Sequence, residues 1–338
     1  MRVCVYGAGA IGGHLAVRLA RAGATVSVVA RGAHLAAIQA DGLTVHAPDG
    51  TYHARPAASD DPARLGQQDA VLVTVKAPAL PLVAAGLPSL LGPDTAVAFV
   101  MNGIPWWYCD GLPAPFGGRT LPRIDPDDAL RRALGPGRTI GGVVYAASAV
   151  IAPGIVEVEQ KNSRVILGEP DGHMTARIGA LAELLTTGGI SGETTPRIRD
   201  EIWNKLLSNL AGGTMAVLTG AAPKSIYVEP PAVDAARRVM AEATAIARAL
   251  GADPKADHEA RIANGRTLDH KPSILQDLEL GRPMEIDGIF DAPLALARLA
   301  GVETPTLDLL VALCKVRARA AGLYEPAAPD EGDVHGTT

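Results

Sequence analysis

The chain has 338 residues, 48% of them hydrophobic and 20% charged, with a formal net charge of −5. That length exceeds what one hydrophobic core usually serves and predicts two domains, while the slightly acidic balance excludes the basic footprint of a nucleic-acid binder or an anionic-membrane binder. Three scattered cysteines (Cys4, Cys109 and Cys314) form no CxxC pair and the histidines show no metal-ligand spacing, so neither a disulfide framework nor a metal site is expected. No run of roughly 18 apolar residues predicts a membrane span and no signal-peptide pattern opens the chain; a cytoplasmic location is the expectation.

In chain order, a β-rich run over 2–6 leads into Gly7-x-Gly9-x-x-Gly12 and a helix predicted to about Ala22. In such a turn the first glycine permits the bend, the second lets backbone approach a pyrophosphate, and the third lets helix and strand pack closely. The strand before it, the helix it opens and a second strand over 25–30 supply the context that the motif requires. The backbone of Gly7, Gly9, Ala10, Ile11 and Gly12 is therefore the expected dinucleotide contact. His14, in this helix, reads as a surface or packing residue. An NAD site usually carries Asp or Glu about 20 residues on, at the end of the second strand. Here that slot holds Arg31, whose fork of donors suits a 2′-phosphate, so the expected cofactor is NADPH.

Two apolar runs follow, 70–75 ending at Lys76 and 96–100 ending at Met101-Asn102-Gly103. They read as parallel strands covered on both faces. Ligands in such sheets bind beyond the carboxyl ends of the strands, which is where Lys76 and Asn102 fall. Residues 140–168 look like further strands completing the sheet. From Pro196 the pattern turns helical, over 196–218, 232–250, 257–280, 292–300 and 305–320, with Thr195 as predicted N-cap and Pro196 at the first helical position. The expected organisation is an α/β Rossmann domain over 1–195, an all-helical domain over 196–325 for substrate and dimerisation, and a disordered tail over 326–338. The change of class predicts a substrate cleft between the domains.

The stretch EIWNKLLSNLAGG sharpens this. Ile202, Trp203, Leu206, Leu207 and Leu210 form one apolar stripe of a helix, with Lys205 and Asn209 on its border. Either Lys205 pairs with Glu201 on the surface or it is a proton donor aimed into a cleft.

Taken together, GAGAIG, VKA, NGI, WNKLLSN and SILQDLELGRPMEID resemble the ketopantoate reductase family, over about residues 1–322. The resemblance implies an NADPH-holding Rossmann domain and a helical domain of the 6-phosphogluconate dehydrogenase C-terminal type that closes over a 2-oxo acid. It implies that Lys205 is the general acid, and that Glu285 assists substrate binding and orients Lys205. Asn102 and Asn209 would position substrate and nicotinamide, and Ser273 the substrate carboxylate or hydroxyl. Lys76 and Arg31 match the cofactor-side lysine and the 2′-phosphate contact. A homodimer is consistent with the family. Plainer readings stand beside these: Ser273-x-x-Gln276 fits a capping box, and Glu285 fits an exposed acid.

Two features depart from the family. Gly213 stands where a second asparagine is common. The segment 104–138 is long and rich in Gly and Pro, which suits a lid, a binding element or a disordered loop. Its Trp106-Trp107-Tyr108 cluster could wall the substrate pocket, line a dimer contact or staple the loop locally. The functional expectation is NADPH-dependent reduction of a 2-oxo acid, ketopantoate first. The alternatives are a related enzyme acting on a bulkier 2-oxo acid or a 3-hydroxy acid, and a non-catalytic NADPH-binding sensor.

Overall fold

The computed structural model describes residues 1–325; the expected tail lies outside the described residues. The strands are β1 (Arg2–Tyr6), β2 (Thr25–Val29), β3 (Leu43–Ala47), β4 (Gly50–Ala54), β5 (Ala57–Ser59), β6 (Gln68–Val73), β7 (Leu91–Val100), β8 (Thr139–Tyr145), β9 (Ser148–Ala152), β10 (Ile155–Val158), β11 (Arg164–Gly168) and β12 (Ser191–Thr194). The helices are α1 (Ala10–Arg21), α2 (Gly32–Asp41), α3 (Leu80–Gly86), α4 (Ala129–Leu134), α5 (Ala176–Thr187), α6 (Ile198–Thr219), α7 (Pro223–Ile226), α8 (Pro230–Ala249), α9 (His258–Gly265), α10 (Ser273–Glu279), α11 (Ala292–Ala300) and α12 (Pro305–Ala320). The chain divides within α6 into two compact units, Met1–Lys205 with Leu250–Pro254, and Leu206–Ala249 with the described residues from Lys255 on.

The first unit is built on an eight-stranded sheet of order β12-β11-β8-β7-β6-β1-β2-β5. From β5 to β8 every neighbouring pair is parallel, and β11 runs antiparallel to β8. Read outward from β1, the six parallel strands have the doubly wound order 3-2-1-4-5-6, which reverses at β1. Val, Ala and Leu along β1, β6 and β7 are buried on both faces, as in a parallel sheet covered on each side. One apolar core joins Val3, Val5 and Leu72 of the sheet to Leu15 and Leu19 of α1 and Leu181 and Leu185 of α5.

The expectation that 140–168 completes this sheet is corrected. Only β8 and β11 do so, while β9 and β10 turn away and join β3 and β4 in a second sheet of order β4-β3-β10-β9. Its inner face, including Val45 and Val156, packs on α1 and belongs to the same core. Short alternating runs carry no signal for which sheet they will join, and the pairing of Ile155 with Thr44, far apart in the chain, decides it. The segment 104–138 is not a disordered loop either. Trp106, Trp107 and Tyr108 are fully buried, and α4 forms inside the segment, with Asp125 accepting from the amides of Leu130 at 2.7 Å and Arg131 at 3.1 Å.

In the second unit, α8 packs against α9, α11 and α12, burying Val239, Met240, Leu296, Leu307 and Val311. The expected helix over 257–280 is two helices, α9 and α10, because 266–272 leaves the helical path before Pro272. Thr195 does not cap α6: its hydroxyl accepts from the Arg197 amide at 3.0 Å, and the helix begins at Ile198. Between α10 and α11 a π-helical turn, Asp287–Asp291, begins two residues after Glu285.

Candidate active site

The glycine turn stands at the carboxyl end of β1. Gly7 takes φ +102°, a region that side chains rarely enter, and a Cβ at Gly12 would lie 2.0 Å from the Gly7 carbonyl oxygen and 2.5 Å from Thr74 Oγ1. Thr74 holds the turn by donating its hydroxyl to the Gly7 carbonyl at 2.7 Å. Gly9 differs from both, for a Cβ there would meet nothing within 4 Å. The open space lies in front of the first turn of α1, where the amides of Ala10, Ile11 and Gly12 have no partner within the helix. A glycine that borders space and an unpaired helix N-terminus behind it fit a pyrophosphate.

Two further residues brace the turn that sequence reasoning missed. His34, on α2, contacts the Ala8 carbonyl through Nε2 at 2.7 Å, and its Nδ1 accepts from the Gly154 amide at 3.0 Å. An amide can only donate, so Nδ1 is the acceptor and Nε2 carries the proton. Nothing in the local spacing around His34 or Thr74 marks them, since their partners lie 26 to 120 residues away. Arg31 follows β2, at the N-cap of α2, with an exposed guanidinium that makes no hydrogen bond or ion pair among the described residues.

Lys76 and Asn102 follow β6 and β7 at the same edge of the sheet. Lys76 is exposed, at the N-cap of a short 3-10 turn, Ala77–Ala79. Asn102 has a buried Oδ1 with no hydrogen-bond partner. Beside it a small cavity is lined by Phe99, Trp106, Trp107 and Ile202. This answers what the aromatic cluster does within the chain. It is a staple that also walls this cavity, and full burial removes it as a dimer contact. Trp106 packs edge-on against Phe99, with centroids 5.8 Å apart, and Tyr108 meets Trp203 in the same manner at 6.4 Å. The Tyr108 hydroxyl accepts from Trp203 Nε1 at 2.6 Å. Arg199 donates to the carbonyls of Tyr108, Pro170 and Asp110, which ties the segment to the first turn of α6. Burial disfavours the Arg199 cation, and this fan of carbonyls offsets the penalty.

Lys205 and its apolar stripe fall as the sequence suggested: Ile202, Trp203, Leu206, Leu207 and Leu210 are buried, and Lys205 and Asn209 are half-buried at the border. The surface pair with Glu201 does not form. The Lys205 ammonium instead donates to the Val144 carbonyl near the end of β8 and lies 5.2 Å from the Tyr145 ring centroid. The first unit thus brings the glycine turn, Arg31, Lys76, Asn102 and Lys205 to the carboxyl ends of β1, β2, β6, β7 and β8.

In the second unit Ser273 is the first residue of α10 and is exposed. It does not cap the helix; the N-cap is Pro272, and the Gln276 side chain donates from Nε2 to the Lys271 carbonyl at 2.9 Å instead of forming a capping box. Glu285 is buried, contrary to the exposed-acid reading. Its neighbourhood is tied down: the Met284 amide donates to the Leu323 carbonyl at 3.3 Å, and the Tyr324 hydroxyl donates to Asp287 at 3.2 Å and Asp291 at 3.0 Å. A Cβ at Gly213 would sit in ordinary contact with Ile274 and Phe290, so apolar side chains flank the position where the family often has an asparagine. No cluster of potential metal ligands and no membrane-spanning helix occurs among the described residues.

A parallel sheet of this order, with a glycine turn at its switch point and a lysine at its carboxyl edge, joined to a helical unit, defines a two-domain oxidoreductase on a Rossmann scaffold. Residues 3–172 match the family described as Ketopantoate reductase PanE/ApbA, and residues 197–318 match Ketopantoate reductase PanE/ApbA C terminal. A protein of Mesorhizobium japonicum named 2-dehydropantoate 2-reductase is 42% identical over 96% of this chain and 100% of its own. A crystal structure from Ralstonia solanacearum, described as a candidate ketopantoate reductase, superposes with a TM-score of 0.89 at 40% identity, over 96% of this chain and 99% of that one. D-mandelate dehydrogenase, solved with NADH and anilino(oxo)acetate, shares the fold at a TM-score of 0.81 and 20% identity, over 96% of this chain and all of its own. The chain belongs to the ketopantoate reductase family.

Proposed function

We propose that the chain reduces a 2-oxo acid, 2-dehydropantoate to pantoate, with NADPH as the reductant and Lys205 as the general acid. The observation that carries this is the gathering of Gly9, Lys76, Asn102 and Lys205 at one edge of the first unit's sheet. The cofactor, when bound, supplies a hydride. The amides of Ala10, Ile11 and Gly12 face its pyrophosphate and Arg31 its 2′-phosphate, with Lys76 on the cofactor side. Asn102, with an acceptor oxygen left unpartnered, orients the nicotinamide carboxamide or the substrate.

Reduction of a ketone turns its oxygen into an alkoxide, which needs a proton. Lys205 delivers it from Nζ, with Asn209 one helical turn further on and Ser273 and Glu285 completing the substrate contacts. Burial of Glu285 favours a directed role over surface solvation. The reading extends to a cytoplasmic enzyme of pantothenate synthesis that works as a homodimer. Support for the dimer comes from α12, whose Leu309, Leu313 and Val316 form an exposed apolar stripe. A second reading, a bulkier and less polar 2-oxo acid as substrate, draws on Gly213 and its apolar neighbours.

The test is NADPH oxidation with 2-dehydropantoate beside straight, branched and aromatic 2-oxo acids, and with Lys205→Ala as control. The expected result is preference for 2-dehydropantoate and a fall of about 10²-fold or more in kcat for Lys205→Ala. Faster turnover of a bulkier acid would favour the second reading. Near-parent turnover by a well-folded Lys205→Ala protein would remove Lys205 as proton donor.

A further inference from the structure

We propose that Tyr145 is a positioning residue for the proton donor: its ring, held across the sheet by Arg164, keeps the Lys205 ammonium at the end of β8. The inference rests on Lys205 being the general acid. The Lys205 nitrogen lies 5.2 Å from the Tyr145 centroid, inside the range of about 6 Å over which a ring face attracts a cation. Val144, the residue before Tyr145, gives its carbonyl to the same ammonium. Tyr145 is itself fixed, for Arg164 stands opposite it in the β8–β11 register and places its guanidinium 4.2 Å from the centroid. Arg164 in turn lies 3.7 Å from the Glu193 carboxylate on β12. A chain of contacts thus runs from the edge of the sheet to the nitrogen that donates.

A lysine side chain has many rotamers, and a donor is useful in few of them. The carbonyl and the ring face both narrow that choice. Both also favour the ammonium over the neutral amine, so the donor is held in the state from which it can give a proton. When that proton passes from Nζ to the substrate oxygen, the neutral amine loses the ring's attraction for a cation and keeps only a weaker, uncharged hydrogen bond to the Val144 carbonyl. Reprotonation from solvent restores both at full strength, and the same contacts return the side chain to its starting place. Neither contact depends on the phenolic hydroxyl, so phenylalanine at this position should serve and an aliphatic residue should not.

The experiment compares the parent with Tyr145→Phe, Tyr145→Leu and Lys205→Ala in two readouts. The first is the pH profile of kcat with 2-dehydropantoate and NADPH. The second needs no turnover: titration of the Lys205 Cε signal by NMR in lysine-labelled protein, assigned by its absence in Lys205→Ala. For Tyr145→Leu we expect kcat to fall about 3- to 10-fold with the KM for NADPH held within about two-fold. Its alkaline limb and the Lys205 titration should both move down by about half a pH unit. Tyr145→Phe should restore the parent's values in both readouts. Parent-like titration in Tyr145→Leu would overturn the proposal, as would equal losses in Tyr145→Phe and Tyr145→Leu. Full turnover by Lys205→Ala is a different failure, because it would remove the general-acid reading while the titration still judged the contact.

Discussion

His14 offers a quantitative test of the first unit's packing. It sits on α1, 1% exposed, and neither ring nitrogen has a hydrogen-bond partner. Burial lowers its pKa from 6.5 to about 4, helped by the Arg18 cation one turn away and opposed by Asp49. The folded state therefore holds His14 neutral, whereas the unfolded chain takes up a proton as the pH falls below 6.5. Stability is intact above that value and declines as the pH drops to about 4, by about 3 kcal/mol at 1.36 kcal/mol per pH unit. Asp49, paired with Arg18, is held down to about 2 and so titrates below this window. His14→Leu removes the titration and the two unpartnered nitrogens. All three tryptophans, Trp106, Trp107 and Trp203, lie in the first unit, so urea unfolding followed by fluorescence reports on the unit that holds His14. Between pH 7 and pH 4 the parent should lose about 3 kcal/mol more than His14→Leu. Equal losses would refute the reasoning, since they would mean that the imidazole accepts its proton in the fold at little cost.

Other perturbations separate binding from folding. Gly9→Ala should leave thermal stability nearly unchanged and weaken NADPH binding at least 10-fold by titration calorimetry, because its methyl enters open space that the cofactor needs. Gly12→Ala should lower both, with a stability loss of about 1–3 kcal/mol or more, as its methyl would overlap the Gly7 carbonyl. Arg31→Ala should raise the KM for NADPH about 10- to 100-fold and leave that for NADH within about two-fold, as expected for loss of a charge-assisted phosphate contact. Arg199→Met strips the donor from three carbonyls and should cost on the order of 3 kcal/mol in urea unfolding, with the tryptophan signal changing first.

Much of this was legible in the chain. The glycine turn, the parallel strands and the apolar stripe beside Lys205 are local patterns with periods of two or 3.6 residues, and each formed close to its expected place. What sequence could not carry was long-range choice. The strands β9 and β10 look like β8, yet Gly154 between them pairs back to Thr44 and His34. Thr195-Pro196 has the chemistry of a helix start, but the threonine bonds two residues ahead and the helix waits for Ile198. The aromatic cluster was visible as unusual, whereas its burial depended on Arg199 and Trp203, about 90 residues on. Tyr145 gave no signal at all, since its meaning depends on a lysine 60 positions later.

The parallel pairing of β10 with β3 also bears on when the nucleotide turn matures. The histidine that steadies Ala8 is itself held by the amide of Gly154, at the turn leading into β10. During synthesis the glycine turn emerges first, but its brace is incomplete until Gly154 has followed, about 145 residues after Ala8. At ribosomal rates of about 5–20 residues per second that is a delay of several seconds or more. Through that interval β3 and β4 lack the partner strand that completes their sheet, so the nascent chain passes through a stage with an open strand edge and an unsteadied ligand loop.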